Sequence, residues 1–163
     1  MAKLKTLEDL FEHQLKDLYS AEKQGIAALT KMIKATEDEK LKQMIETHLE
    51  ETRAQKDRLE KVCELVGTSP GRMKCKAMEG LVEEGEETIE EDATPEVKDA
   101  GLIASIQRME HYEIAGYGTA AHFAERLGHT EAAQLLRQTL EEEQKTDTLL
   151  NDLAKSYINE KAE

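Results

Sequence analysis

The sequence predicts an all-α protein, a four-helix bundle with a long, partly helical crossover between its second and third helices. Two observations carry this. Apolar residues recur with a 3.6-residue rhythm through four long segments. Strong turn signals separate those segments, and the chain of 163 residues holds only two prolines. That length suits one domain, 1–163, with a sizeable core.

The first helix is expected over about 6–35. Thr6 is its candidate cap, with Asp9 three residues on as an approximate capping box. Leu7, Leu10, Phe11, Leu15, Leu18, Ile26, Leu29 and Ile33 mark its apolar face. Thr36, in TEDE, opens the cap of a second helix over about 38–66, with Leu41, Met44, Ile45, Leu49, Leu59, Val62 and Val66 on its apolar side. Gly67 ends that helix, and GTSPG is a turn cluster. The crossover, about 67–94, is helix-compatible but interrupted by Gly80 and Gly85, so one or two short helices are expected there. Thr94-Pro95 caps a third helix over about 95–127, ended by Gly128, and a fourth follows over about 130–158. The tight first and last connections make two antiparallel hairpins. The second helix is roughly 40 Å long at about 1.5 Å per residue, a length the crossover can retrace.

Charge and composition exclude several functions. A formal net charge of −13 repels phosphate backbones, so no nucleic-acid partner is expected. No run of 18 apolar residues exists, so no membrane span is expected. The opening MAKLKTLEDL lacks the apolar core of a signal peptide, and Cys63 and Cys75 fit no metal-ligand spacing; a cytoplasmic protein with reduced thiols is expected. Met73, Met78 and Leu81 form an apolar strip on the crossover, a candidate homodimer surface, with an apolar face of the first helix as the equal alternative.

The chemistry lies in the carboxylates. Glu22 sits among Leu15, Leu18, Ile26 and Leu29, and Glu113 among Ile106, Met109 and Tyr117, where core-facing residues belong. The two hairpins also echo each other. AEKQGIAAL (21–29) aligns with YEIAGYGTA (112–120), and HLEETRAQKDRL (48–59) with TLEEEQKTDTLL (139–150). A pseudo-twofold between them brings Glu22, Glu51, Glu113 and Glu142 toward one centre. Glu110 shares a face with Glu113, and Glu143 borders the stripe of the fourth helix. Inward anionic carboxylates repel unless protons or cations compensate them, and hard oxygen donors suit two iron or manganese ions. Dinuclear carboxylate bundles place Glu-x-x-His on two of their helices. Three residues beyond Glu51 and Glu142 stand Ala54 and Lys145, which do not ligate; His48, three before Glu51, is the candidate nitrogen donor. Boundary carboxylates that reach solvent, and a hydrogen-bonded core histidine, are the competing readings. Tyr19 and Tyr117 can hydrogen-bond the carboxylates, and His13, His111, His122 and His129 lie outside the pattern.

SAEKQ (20–24), HLEET (48–52), KCKAMEGL (74–81), MEHYEIAGYGT (109–119) and TLEEE (139–143) resemble the ferritin-like YciE/YciF family of bacterial stress proteins over nearly the whole chain. The resemblance implies a rubrerythrin-like bundle, a cytoplasmic dimer and a dinuclear metal site at Glu22, Glu51, Glu113 and Glu142. It brings no defined reaction. A non-enzymatic helical scaffold that dimerises and binds no functional metal is the competing function.

Overall fold

The computed structural model describes residues 4–163. Its elements are α1 (Leu7–Ala35), α2 (Glu39–Leu65), α3 (Lys76–Glu90), α4 (Pro95–Leu127) and α5 (Thr130–Leu153). A π-helical turn, Ala154–Ile158, and a last turn, Asn159–Lys161, prolong α5. No strand occurs among the described residues.

The caps follow from the local sequence. Thr6 Oγ1 accepts the Asp9 amide at 3.1 Å and Asp9 Oδ2 accepts the Thr6 amide at 3.0 Å, which closes a capping box. The α2 cap is Asp38, not Thr36: Asp38 Oδ1 accepts the amides of Lys40 and Leu41. Thr36 is spent on α1, where its hydroxyl donates to the Met32 carbonyl. Thr94 caps α4 with Pro95 in the first turn, and Gly128 ends it in the left-handed conformation at φ 82°. The crossover forms one helix, with Gly80 and Gly85 inside it. Cys75 caps it through Sγ, 3.4 Å from the Met78 amide.

α1 pairs with α2, α4 pairs with α5, and the hairpins join through α1 against α4 and α2 against α5. α3 lies along α1 and α4. Met78 is wholly buried there, so it belongs to the core rather than to a surface strip; Met73 and Leu81 stay half-buried. Gly116 lets α1 come close, since a Cβ at that position would stand 2.6 Å from Leu18 Cδ2. Among the described residues no helix is long and apolar enough to cross a membrane.

The core is in two parts. One gathers Ala28, Leu29, Met32, Leu41, Ile45, Leu102, Ile106 and Leu150. The other gathers Phe11, Leu15, Leu18, Leu59, Val62, Tyr117, Ala121 and Leu136. Between them every long helix turns polar on its inner face, at Glu22, at His48 to Gln55, at Glu110 and Glu113, and at Thr139 to Thr146.

Another buried acid serves the fold instead. Asp99, on α4, accepts the amides of Glu37 at 3.0 Å and Asp38 at 2.8 Å, which fastens the α1–α2 turn to the other hairpin. Asp99→Ala is expected to destabilise by about 2–4 kcal/mol, since two amides lose charge-assisted bonds. Urea unfolding checks this; a change below about 0.5 kcal/mol would show that the tie is idle.

Candidate metal centre

Four carboxylates and one imidazole meet in the polar layer. On α4, Glu110 and Glu113 stand one turn apart and are 1% and 3% exposed; Glu22 of α1 and Glu143 of α5 are wholly buried. His48 of α2 sends Nε2 to Glu110 Oε1 at 2.8 Å. His48, Glu110 and Glu143 each bring a ligating atom within 4.8 Å of the other two. Tyr117, one turn beyond Glu113, donates its hydroxyl to Glu22 Oε1. Tyr19 instead donates to Glu60 at 2.7 Å, away from this layer.

Burial without solvation dictates the protonation. Burial raises the Glu22 carboxyl to about 8, against a donated bond from Tyr117. Burial, then the neighbouring carboxylates, hold Glu113 and Glu143 well above the ordinary range. Glu110 differs: burial raises it too, but the His48 imidazolium outweighs that and holds it low. Burial opposes the charge on His48 in turn, yet Glu110 and its neighbours raise the imidazole to about 10. The metal-free layer at neutral pH is therefore one imidazolium–carboxylate pair beside three acids that favour their neutral form.

Even so, polar atoms are left over. Glu22 Oε2, Glu110 Oε2, Glu113 Oε1 and both oxygens of Glu143 are buried with no N–H, alcohol or phenol donor, and the bond between Glu110 and Glu143 rests on an acid proton of the layer itself. With His48, Glu110 and Glu143 close enough to share one ion and the Glu22 and Glu113 carboxyl groups buried in the same layer, the donors suit hard or borderline divalent cations, so the residues fit the iron or manganese expected from the carboxylates.

Of the residues singled out from sequence, Glu22, Glu110, Glu113, Glu143 and His48 lie in this layer. Glu51 lies at its rim, with Oε2 3.4 Å from Thr146 Oγ1 and 3.8 Å from His48 Nδ1. It borders an open cavity of about 300 Å³ between α2 and α5, whose lining also includes His48, Lys145 and Thr146. Glu142 is turned away: Arg58 grips both its oxygens at 2.9 Å and Gln55 donates to it at 3.1 Å. The residue after each points inward, so the inner i, i+3 pairs are Thr52-x-x-Gln55 and Glu143-x-x-Thr146. Sequence reasoning passed over Thr52, Gln55 and Thr146. Their signal was the helical stride itself: Leu41, Ile45, His48, Thr52, Gln55, Leu59 and Val62 step alternately by four and three, as Ala132, Leu136, Thr139, Glu143, Thr146 and Leu150 do. Neither pair carries a histidine.

A two-hairpin bundle with a helical crossover and a buried carboxylate–imidazole layer defines a ferritin-like helical protein. Residues 6–163 match the family described as Domain of unknown function (DUF892), and the chain belongs to that family. It is 54% identical to Protein YciF of Escherichia coli (strain K12) over 161 residues, 98% of this chain and 97% of that one. The crystal structure of that E. coli stress protein matches with a TM-score of 0.92 over 96% of this chain and 99% of the other. YcfI from Rhodopseudomonas palustris matches at 43% identity and a TM-score of 0.88, over 91% and 95% of the two chains.

Proposed function

We propose that the chain is a stress protein of the YciF kind whose bundle centre binds two iron or manganese ions. Glu22, Glu110, Glu113, Glu143 and His48 are the inner donors, with Glu51 at the rim. The protein works in the cytoplasm as a homodimer, with Met73 and Leu81 of the crossover face or the outer face of α1 at the contact. The observation that carries the metal reading is the convergence of buried carboxyl groups from α1, α4 and α5 on the α2 imidazole, where five carboxyl oxygens receive no hydrogen bond from any N–H, alcohol or phenol group. Each such acceptor costs about 1–3 kcal/mol if nothing compensates it. Bound cations would compensate them.

When bound, such ions supply Lewis-acid and one-electron redox chemistry. The chain's own residues set the terms. Tyr117 holds Glu22 in place, His48 pairs with Glu110, and an apolar cluster flanks the layer on either side. A second reading, a scaffold without functional metal, is favoured by the same His48–Glu110 pair, since that pair and three protonated acids leave a layer close to neutral.

Protein purified without chelator separates the two. Elemental analysis is expected to find iron or manganese in the wild type and little in Glu22→Gln/Glu113→Gln. Wild-type protein free of metal, and unable to take up added Mn²⁺, would leave the scaffold reading standing.

A further inference from the structure

The geometry points to Gln55 as a further, neutral oxygen donor to one of the bound cations, held in its donating orientation by the Glu142–Arg58 ion pair. This rests on the metal reading above and adds a residue and a positioning device to it.

Gln55 is wholly buried. Its Nε2 donates to Glu142 Oε2 at 3.1 Å. Glu142 is forked by both terminal nitrogens of Arg58 at 2.9 Å, the arrangement of an ionised carboxylate that only accepts. An amide facing such a group must present its nitrogen, so Oε1 is turned the other way. That oxygen is buried and has no hydrogen-bond partner. On α2, Gln55 stands two turns from His48 and one turn from Thr52, on the inner face of the helix. It is therefore one more unpartnered oxygen on the face that carries His48.

Amide oxygens are good ligands for hard cations. A neutral one adds a donor without adding a fifth carboxylate to a crowded layer. This also gives Glu142 a role that its outward turn otherwise lacks. It does not ligate; it fixes which end of Gln55 looks inward. Arg58 donates as well to Thr139 Oγ1 at 2.6 Å, so the clamp also ties α2 to α5.

The test titrates Mn²⁺ into chelator-stripped full-length protein by calorimetry, with the Mn²⁺ electron paramagnetic resonance spectrum recorded alongside. Gln55→Met keeps the shape and removes the oxygen; it is expected to weaken Mn²⁺ about tenfold and to alter the spectrum. Glu142→Leu is expected to weaken Mn²⁺ comparably with Gln55 intact. The double variant is expected to be no weaker than Gln55→Met alone, because Glu142 acts through Gln55. A purely structural or electrostatic effect of Glu142 would instead add to that of Gln55→Met, and would overturn the positioning role. Wild-type binding with Gln55→Met equal in affinity and spectrum would overturn the donor role and leave the metal reading intact. No binding by wild type would overturn both. Should Gln55→Met fail to fold, Glu142→Leu with an unchanged Mn²⁺ affinity and spectrum would overturn the inference by itself.

Discussion

Glu110→Gln is expected to destabilise the metal-free protein at pH 7, while Glu22→Gln and Glu113→Gln are expected to stabilise it. The opposite signs come from one imidazole. His48 Nε2 lies 2.8 Å from Glu110, and both groups are almost wholly buried. Removing the carboxylate charge strands a buried imidazolium or forces its proton off, and breaking such a pair costs about 3–5 kcal/mol. In a chain of this size each kcal/mol moves the melting temperature by about 2–4 °C, so a fall of roughly 10 °C is expected. Glu22 has no such partner. Its folded carboxyl titrates at about 8, against an ordinary 4.5. At pH 7 folding must therefore put a proton on a group that the unfolded chain leaves ionised, at a cost of about 3 kcal/mol. Glutamine keeps the acceptor for Tyr117 and removes that cost. Glu113 follows Glu22, because burial and the carboxylates around it raise it in the same sense. Thermal melts of the three variants in chelator check the pattern. If all three shift the same way, the division of the layer into one ion pair and three neutral acids is wrong.

The bundle was legible because period, caps and breakers agree along the chain. Thr6, Pro95 and Gly128 act locally, and each stands where the sequence marks a helix end. Asp38 was harder. TEDE offers Thr36 and Asp38 as caps, and the choice turns on the tertiary contact with Asp99, far along the chain, which holds the backbone of the turn. The buried polar layer of the candidate site was legible to within one residue. The hairpin echo aligned Glu51 with Glu142 by identity, but matching residues report only that two positions correspond, not which way they face. One residue along a helix is about 100° of rotation. That moves the inward pair to Thr52 and Glu143 and turns Glu142 onto Arg58. Glu22 and Glu113 escaped the slip because each is bracketed by apolar neighbours on both sides. The pairing of His48 with Glu110 was out of reach, since it joins α2 to α4 across the bundle.

Proton release is the larger expected signature of the metal. Glu22 is raised in the folded state, so its stabilising contribution is full below pH 4.5 and is lost as pH rises through about 8. Glu113 and Glu143 are raised too and act in the same direction. His48, raised from 6.5 to about 10, contributes fully below 6.5 and loses that contribution as pH rises through 10. Glu110 alone runs the other way: held low by the imidazolium, it contributes above its ordinary value and loses that only in acid. The metal-free layer therefore weakens the fold progressively from about pH 5 upward, through about 8 for Glu22 and about 10 for His48, and the difference between wild type and Glu22→Gln/Glu113→Gln isolates the carboxyl part of the profile. A cation takes the deprotonated donors of the native state, so binding must displace these protons. Three acids and the His48 imidazolium hold up to four such protons, so with at least two displaced Mn²⁺ affinity is expected to rise by about 100-fold or more per pH unit between pH 6 and 7.5. Calorimetry in buffers of different ionisation enthalpy counts the protons directly. In melts, Mn²⁺ is expected to do little at pH 5, to raise the melting temperature strongly at pH 7.5, and to leave the double variant unmoved at either pH. A Mn²⁺ response of equal size at both pH values would mean that the cation binds surface acids already ionised at pH 5. The buried carboxylates would then have to be read as a self-neutralised part of the core.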